Sequence, residues 1–158
     1  MNRSTLLSGS VVLAVLLSSC AGFENVVSAP NVSLRNVHVE SIGLGGQTFI
    51  LAFDVTNPNP FPLPIKTVDY SVKLDGHRFA SGATSSAFTV PAGSDGEFGI
   101  SVDVNLLQTA PELLFIVRDA SRRDIPYSIE GRLGVDIPYT KPVKFENTGL
   151  IRLQAADH

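Results

Sequence analysis

Proline stands at every second position of Asn57-Pro58-Asn59-Pro60-Phe61-Pro62-Leu63-Pro64-Ile65, and Phe61, Leu63 and Ile65 fill the alternate positions. Proline has no backbone N–H. In an extended chain the N–H groups of alternate residues point the same way, so four prolines in one phase remove donors from one side only. Such a segment cannot lie in mid-sheet and suits an edge or a crossover between sheets. It also discourages pairing with another chain along that side.

Period-two patterns flank this run. Phe49, Leu51, Phe53 and Val55 share one face, and Thr48, Asp54 and Thr56 share the other. Earlier, Val32 and Leu34 have one phase and Val37 and Val39 the opposite one, which a bulge near Arg35–Asn36 reconciles. Gly43, Gly45 and Gly46 mark the turn between these strands. Beyond the prolines Val68, Tyr70, Val72 and Leu74 alternate, and Asp75-Gly76 is a tight-turn signal from which the chain returns through Arg78-Phe79-Ala80. Ser85–Val90 reads as a short strand and Pro91–Gly96 as a loop. Phe98, Ile100, Val102, Val104 and Leu106 alternate next, as do Tyr127, Ile129, Leu133 and Val135, and Val143–Leu153 reads as a final strand. One helix opens at Thr109-Ala110-Pro111-Glu112, a capping box with proline in the first turn. Leu113, Leu114, Ile116 and Val117 give it a wide apolar face, and Arg118, Arg122 and Arg123 lie at or beyond its end, where positive charge suits the helix dipole. Seven or eight strands with one apolar face each, plus one helix, predict an all-β, two-sheet sandwich.

The first residues have a different character. Arg3 stands in a short polar start, Leu6–Leu17 is largely apolar, and Leu17-Ser18-Ser19-Cys20 ends in the chain's single cysteine. This is the layout of an export signal. Leu6–Leu17 is about 12 residues long, whereas a membrane-spanning helix needs roughly 20. An ordinary cleaved signal would end in an Ala-x-Ala pattern, not in two serines before a thiol. The ending resembles the lipobox of bacterial lipoproteins, which implies cleavage between Ser19 and Cys20 and lipidation of Cys20. It also implies an address: the cell envelope and, with Ala21 after the cysteine, the outer membrane facing the periplasm in a diderm cell. The expected organisation is a signal peptide over 1–19, a lipidated start and short tether over 20–31, and one domain over 32–155.

Removing the signal leaves about 139 residues, enough for one core without disulfides. The net charge of -3 gives no basic footprint for nucleic acid. The aliphatic and Phe content is that of a folded β-rich chain.

The stretch Phe53-Asp54-Val55-Thr56-Asn57-Pro58-Asn59-Pro60-Phe61-Pro62-Leu63-Pro64-Ile65, continued by Tyr70-Ser71-Val72-Lys73-Leu74-Asp75-Gly76 and Ala80-Ser81-Gly82, is similar to the signature of the late-embryogenesis-abundant group 2 proteins, whose domain is also called the water-stress and hypersensitive-response domain. The resemblance covers Val32–Leu106 well and the rest by strand order. It implies a sandwich like that of fibronectin type III, with one helix, and a protective role in desiccation, cold and other stress. It supplies no catalytic residue. It gives Asn57, Pro58, Asn59, Pro60, Phe61 and Pro62 a structural role: an Asn before Pro is pushed to an extended conformation, and turn chemistry outweighs ligand binding for these side chains.

Candidate chemistry is sparse. His38, His77 and His158 have no second ligand at metal spacing. No G-x-S-x-G elbow occurs, and Gly43-Leu44-Gly45-Gly46 leads into a strand and not into a helix. Asp95 and Glu97 read as a loop pair that could bind calcium, but two carboxylates without further spaced oxygen ligands read better as solvated. Asp54 reads as the polar face of its strand, and Arg118, Arg122 and Arg123 as a solvated helix end or a contact for anionic head groups. The expectation is a non-enzymatic monomer without a cofactor, held on a membrane through Cys20 and protecting client proteins or lipid. Two alternatives are a module binding a lipid or other apolar ligand, and an adaptor that recruits a partner by adding a strand to a sheet edge.

Overall fold

The structure is a computed structural model that describes residues 27–43, 46–85, 87–105, 111–120 and 122–155. Within them the elements run β1 (Asn31–Gly43), β2 (Gly46–Thr56), β3 (Leu63–Leu74), β4 (His77–Thr84), β5 (Phe88–Val90), β6 (Asp95–Val104), α1 (Pro111–Ala120), β7 (Ile125–Val135), β8 (Val143–Ile151) and β9 (Leu153–Ala155). Two sheets result, β6-β2-β1-β9 and β4-β3-β7-β8, with β5 paired to the start of β3. This is a mainly β sandwich with one helix among the described residues. Ser19, Cys20, Leu106, the capping residues Thr109 and Ala110, and His158 lie outside the described residues.

The alternation read from the sequence sets the core. Phe49, Leu51, Phe53 and Val55 of β2 are fully buried, as are Leu63, Val68, Val72 and Leu74 of β3. Aromatic contacts join the sheets. Phe49 meets Phe79 of β4 edge-on at 5.0 Å, and Phe98 of β6 stacks on Phe53 at 4.8 Å and on Phe88 of β5 at 5.2 Å. Such pairs add about 1 kcal/mol each beyond area burial. In β1 the register jumps from Leu34↔Phe53 to Asn36↔Ala52. The bulge therefore falls at Arg35, and Val32, Leu34 and Val37 all stay in the core. Asp75 and Gly76 have φ of 48° and 80° between Leu74 and His77, the signature of a type I′ hairpin turn.

Three expectations change. Pro58, Pro60 and Pro62 lie in the crossover from β2 to β3, but Pro64 lies inside β3, opposite Thr89 of β5. The strand tolerates it because β7 pairs with β3 only from Ile65, while the Pro64 carbonyl accepts the Asp136 N–H at 2.8 Å. The short strand read from Ser85 reduces to Phe88–Val90. The single final strand is two: β8 closes the second sheet, Arg152 steps across, and β9 joins the first sheet parallel to β1. Ile151 and Leu153 are both buried and Arg152 between them is exposed, with its Nε 2.8 Å from Asp124.

The sandwich has two unlike ends. At one, the start of β1 meets the end of β2 (Asn31↔Thr56), near the crossover and the Pro91–Ser94 loop. At the other lie the β3–β4 turn and α1, which follows β6 where Val104 pairs with Gln47 at the start of β2. Leu113, Ile116 and Ala120 anchor the helix. We refer to these as the crossover end and the helix end.

Two glycines seat aromatic rings in the second sheet. A Cβ on Gly131 would run into the Asp69 carbonyl oxygen and stand 2.6 Å from Cζ of Phe145; one on Gly149 would stand 2.8 Å from Cε1 of Tyr127. The rings lie over the neighbouring strand where only hydrogen fits. Gly131→Ala is expected to lower stability by about 2 kcal/mol through this clash. Gly99→Ala, whose Cβ would meet nothing closer than the Leu51 oxygen at 3.8 Å, should stay within about 0.5 kcal/mol of the parent. Urea midpoints at constant slope measure both.

Candidate functional site

Asn57 and Asn59 are buried polar side chains, 0% and 2% exposed, at the crossover end. Burying an amide is costly unless its hydrogen bonds are made, and here they are. Asn57 Nδ2 donates to the carbonyl oxygens of Phe61 at 2.9 Å, Val90 at 3.2 Å and Pro91 at 3.1 Å. Its Oδ1 accepts the Asn59 N–H at 3.0 Å, an Asx-turn contact, and the Asn59 Nδ2 at 2.9 Å. Asn59 in turn holds the backbone of Ser28. The Ser28 N–H donates to Asn59 Oδ1 at 2.8 Å, and Asn59 Nδ2 donates to the Ser28 oxygen at 3.0 Å. The side-chain amide thus takes the place of a peptide group in a strand pair. Backbone bonds from Asn57 to Ser94 (2.9 Å) and from Gly93 to Asn59 (3.0 Å) complete the junction.

Four stretches of chain meet in it: the approach to β1, the crossover, the end of β5 and the following loop. Pro58 and Pro60, each following an asparagine, favour an extended conformation for it, while Pro58, Pro60 and Pro62 stay exposed and Phe61 packs partly against the core. The segment read as a tether is therefore held to the domain from Val27, which is buried, and Ala21–Val26 stand between it and Cys20. The sequence signalled the two asparagines but not their partner Ser28, because that contact joins residues 31 apart.

A second feature of this end went unread. The β7–β8 loop contains a turn in which Thr140 N–H donates to the Ile137 carbonyl at 3.2 Å, with Pro138 second and Tyr139 third at φ 63°. This is a type II pattern, whose third position favours Gly or Asn. A bulky residue there costs about 1 kcal/mol. The Tyr139 side chain is fully exposed, at 107% of its reference area. No local sequence signal marks positive φ at a tyrosine.

The other candidate residues are dispersed. His38 lies on β1 and His77 opens β4, in different sheets. Asp95 and Glu97 lie on β6 and not in a loop, because that strand starts at Asp95. Asp95 accepts from Thr56 Oγ1 at 2.7 Å. Glu97 pairs with Arg35, whose Nη1 is also 3.6 Å from Asp54, so the bulge projects a cation onto two carboxylates of the outer sheet face. Arg122 and Arg123 donate their N–H groups to the Asp119 carbonyl, and Arg118 lies 5.3 Å from the Phe115 ring centroid, all at the helix end. A shallow concavity of about 640 Å3 on the second sheet is lined largely by exposed polar residues, among them Asp69, Glu130, Arg132, Lys144 and Glu146. Burial pushes the Tyr70 and Tyr127 phenols above the usual range, and Tyr127 donates to Asn147 Oδ1 at 3.1 Å.

Asn57→Ala strands the Asn59 donors and three carbonyl oxygens and is expected to cost about 3 kcal/mol. Asn57→Asp should cost more, since it turns a carboxylate oxygen toward those carbonyls. Hydrogen exchange at the Ser28 amide should lose protection in both before the core unfolds. At Glu97, the Arg35 hydrogen bond and then its charge hold the carboxyl below the usual range. The pair is intact above the ordinary carboxylate range and is lost as pH falls through the lowered value. An NMR titration should place Glu97 below the usual carboxylate range, and Arg35→Gln should return it to that range.

The match to known proteins covers the same elements. A family model for "Late embryogenesis abundant protein" (LEA_2) matches residues 52–149, more than half of the chain, from β2 into β8. A solution structure of a protein from Arabidopsis thaliana is similar over 84% of this chain and 86% of that one, with 19% identity and a TM-score of 0.59. A second solution structure, named for the late embryogenesis abundant (LEA) group, covers 80% of this chain and 72% of its own length, with 21% identity and a TM-score of 0.50. At these identities the likeness establishes the fold. No curated protein sequence matches the chain. With the asparagine–proline crossover, its two buried amides and the strands β3 to β7 inside the matched span, the chain belongs to the late embryogenesis abundant protein family of the LEA_2 type.

Proposed function

We propose that this protein is a lipid-anchored envelope protein that acts without catalysis, protecting client proteins or the membrane when water is withdrawn. The observation that carries the protective reading is family membership over residues 52–149. The address comes from Leu17-Ser18-Ser19-Cys20: signal cleavage before Cys20, lipidation of its thiol, and Ala21 behind it. Stable anchoring takes more than one acyl chain, which a diacylglyceryl thioether with an N-acyl group supplies.

Protection of this kind needs a surface that stays folded and soluble as water is lost. The outer faces support it. They carry charges of both signs at close spacing, such as Arg35 with Asp54 and Glu97 or Lys66 with Asp136 at 2.8 Å, so these charges have partners within the domain after bulk water has gone. The candidate titratable residues are spread over both sheets, which supports a role without acid–base chemistry. The chain approaching β1 is clamped by Asn59, so the anchor and the domain meet at a fixed point.

Cys20→Ser should remove the acyl mass and move the protein from the membrane to the soluble fraction, as read by intact-mass analysis and fractionation. A strain lacking the protein should survive drying less well than its parent, and the Cys20→Ser form should restore survival only in part. Equal survival of parent and deletion strains after drying would overturn the protective role. Retention of the Cys20→Ser form on membranes would overturn the anchor.

A further inference from the structure

We propose that the crossover end of the sandwich rests on the bilayer, with the Tyr139 side chain seated among the phospholipid head groups. This inference builds on the anchor at Cys20 and adds a second, non-covalent membrane contact.

Reach makes the first argument. Ala21–Val26 separate Cys20 from the docked Val27. Seven residue steps span at most about 25 Å when fully extended. The eleven-residue β2, which runs the length of the sandwich, spans roughly 35 Å. With the helix end on the bilayer, Val27 would stand farther from the surface than its chain can reach. The Arg118, Arg122 and Arg123 cluster at that end is thereby held off the head groups.

Surface chemistry makes the second. The crossover loop 57–62 and the loop 91–94 contain no charged side chain. In the loop 136–142, Asp136 is bound by Lys66 at 2.8 Å, and Lys141 carries the other charge. Pro58, Pro60, Pro62, Pro91 and Pro138 are exposed there. Beside the Lys66–Asp136 pair, Lys141 and Asp95, whose carboxylate accepts from the Thr56 hydroxyl, are the exposed charges of this end, and prolines with so little net charge suit a surface of mixed neutral and anionic lipid. The outer face of the first sheet would instead bring Asp54, Glu97 and Asp103, with Arg35 as the arginine among them, against that charge. The second sheet's face carries both signs, with Lys73, Arg132 and Lys144 beside Asp69, Glu130 and Glu146.

Tyr139 makes the third. It occupies a left-handed position that would suit glycine, and its ring is fully exposed, so packing within the domain does not account for it. Its loop belongs to the crossover end, because Asp136 N–H donates to Pro64 just beyond the crossover. Tyrosine rings concentrate at membrane interfaces, with the apolar body toward the acyl chains and the hydroxyl toward water. Lys141 follows two residues later and adds attraction to anionic head groups.

The chain contains no tryptophan, so one substitution installs a single reporter. Full-length Tyr139→Trp protein, matured in cells and purified with its acyl group, is reconstituted into phosphatidylethanolamine–phosphatidylglycerol vesicles carrying a head-group nitroxide lipid. Phe115→Trp, at the helix end, is the comparison, and an unchanged melting temperature shows that each variant is folded. The expected result is a blue-shifted indole at position 139 that loses roughly half or more of its intensity to the nitroxide, against little change at position 115. Equal quenching at the two positions, in protein that carries its acyl mass and floats with the vesicles, overturns the orientation and leaves the anchor standing. Protein that lacks the acyl mass and does not float overturns both. Photo-crosslinking from position 139 to an envelope protein instead of lipid, in intact cells, overturns the proposal in favour of a protein partner.

Discussion

A chain that leaves one sheet and enters the other passes through residues whose peptide groups have no strand partner, yet this passage lies against the core. Its polar groups must be bonded to something. In this sandwich the partners are the side-chain amides of Asn57 and Asn59, which supply donors to the carbonyls of Phe61, Val90 and Pro91 and an acceptor and a donor to Ser28. The alternate prolines reduce the number of N–H groups that need partners and hold each asparagine extended. Two residue types thus solve one problem from opposite sides. One removes backbone donors, and the other brings in polar atoms that the backbone lacks.

Several parts of the architecture depend on that junction. β3 begins directly after it, with Leu63 fully buried, and pairs first with β5 and then with β7. The loop that launches β6 is bonded to it through Gly93 and Ser94. The approach to β1 is clamped by it, so a pull on the N-terminus reaches the crossover before it reaches the strands. Far from it, the sandwich is closed by different means: the rings over Gly131 and Gly149, and the single-residue step at Arg152 that carries the chain from one sheet to the other. The result is a domain whose two ends differ in chemistry. One is proline-rich, with crossover and Pro91–Ser94 loops that have no charged side chain; the other holds the helix and its arginine–aspartate cluster. Under the proposed anchor at Cys20, such a difference would act as an orientation.

The family match establishes the kind of domain, and the proposed function rests on its surface and on the address read from Cys20. With the proposed anchor at Cys20, the clamp on Ser28 would limit how far the domain stands from the bilayer. The mixed charges of its faces keep it solvated. Both follow from ordinary strand alternation and a few special positions, and neither needs a pocket.

The sequence alone determined the inward faces, because period two is a local geometric fact: Phe49 to Val55 and Val68 to Leu74 are buried as their spacing requires. It also determined the bulge at Arg35, since a change of phase within one strand has few other solutions, and the Asp75-Gly76 turn, whose positive φ values those residues accept. Tertiary structure alone decided the rest. Pro64 entered a paired strand because the neighbouring strand's register left its missing donor unneeded. The last strand divided at Arg152 because two sheet edges came within one residue of each other. Asn59 found Ser28, 31 residues away, and Tyr139 took a positive φ that no propensity favours. These depend on which segments meet in space, and a chain read one window at a time contains no term for that.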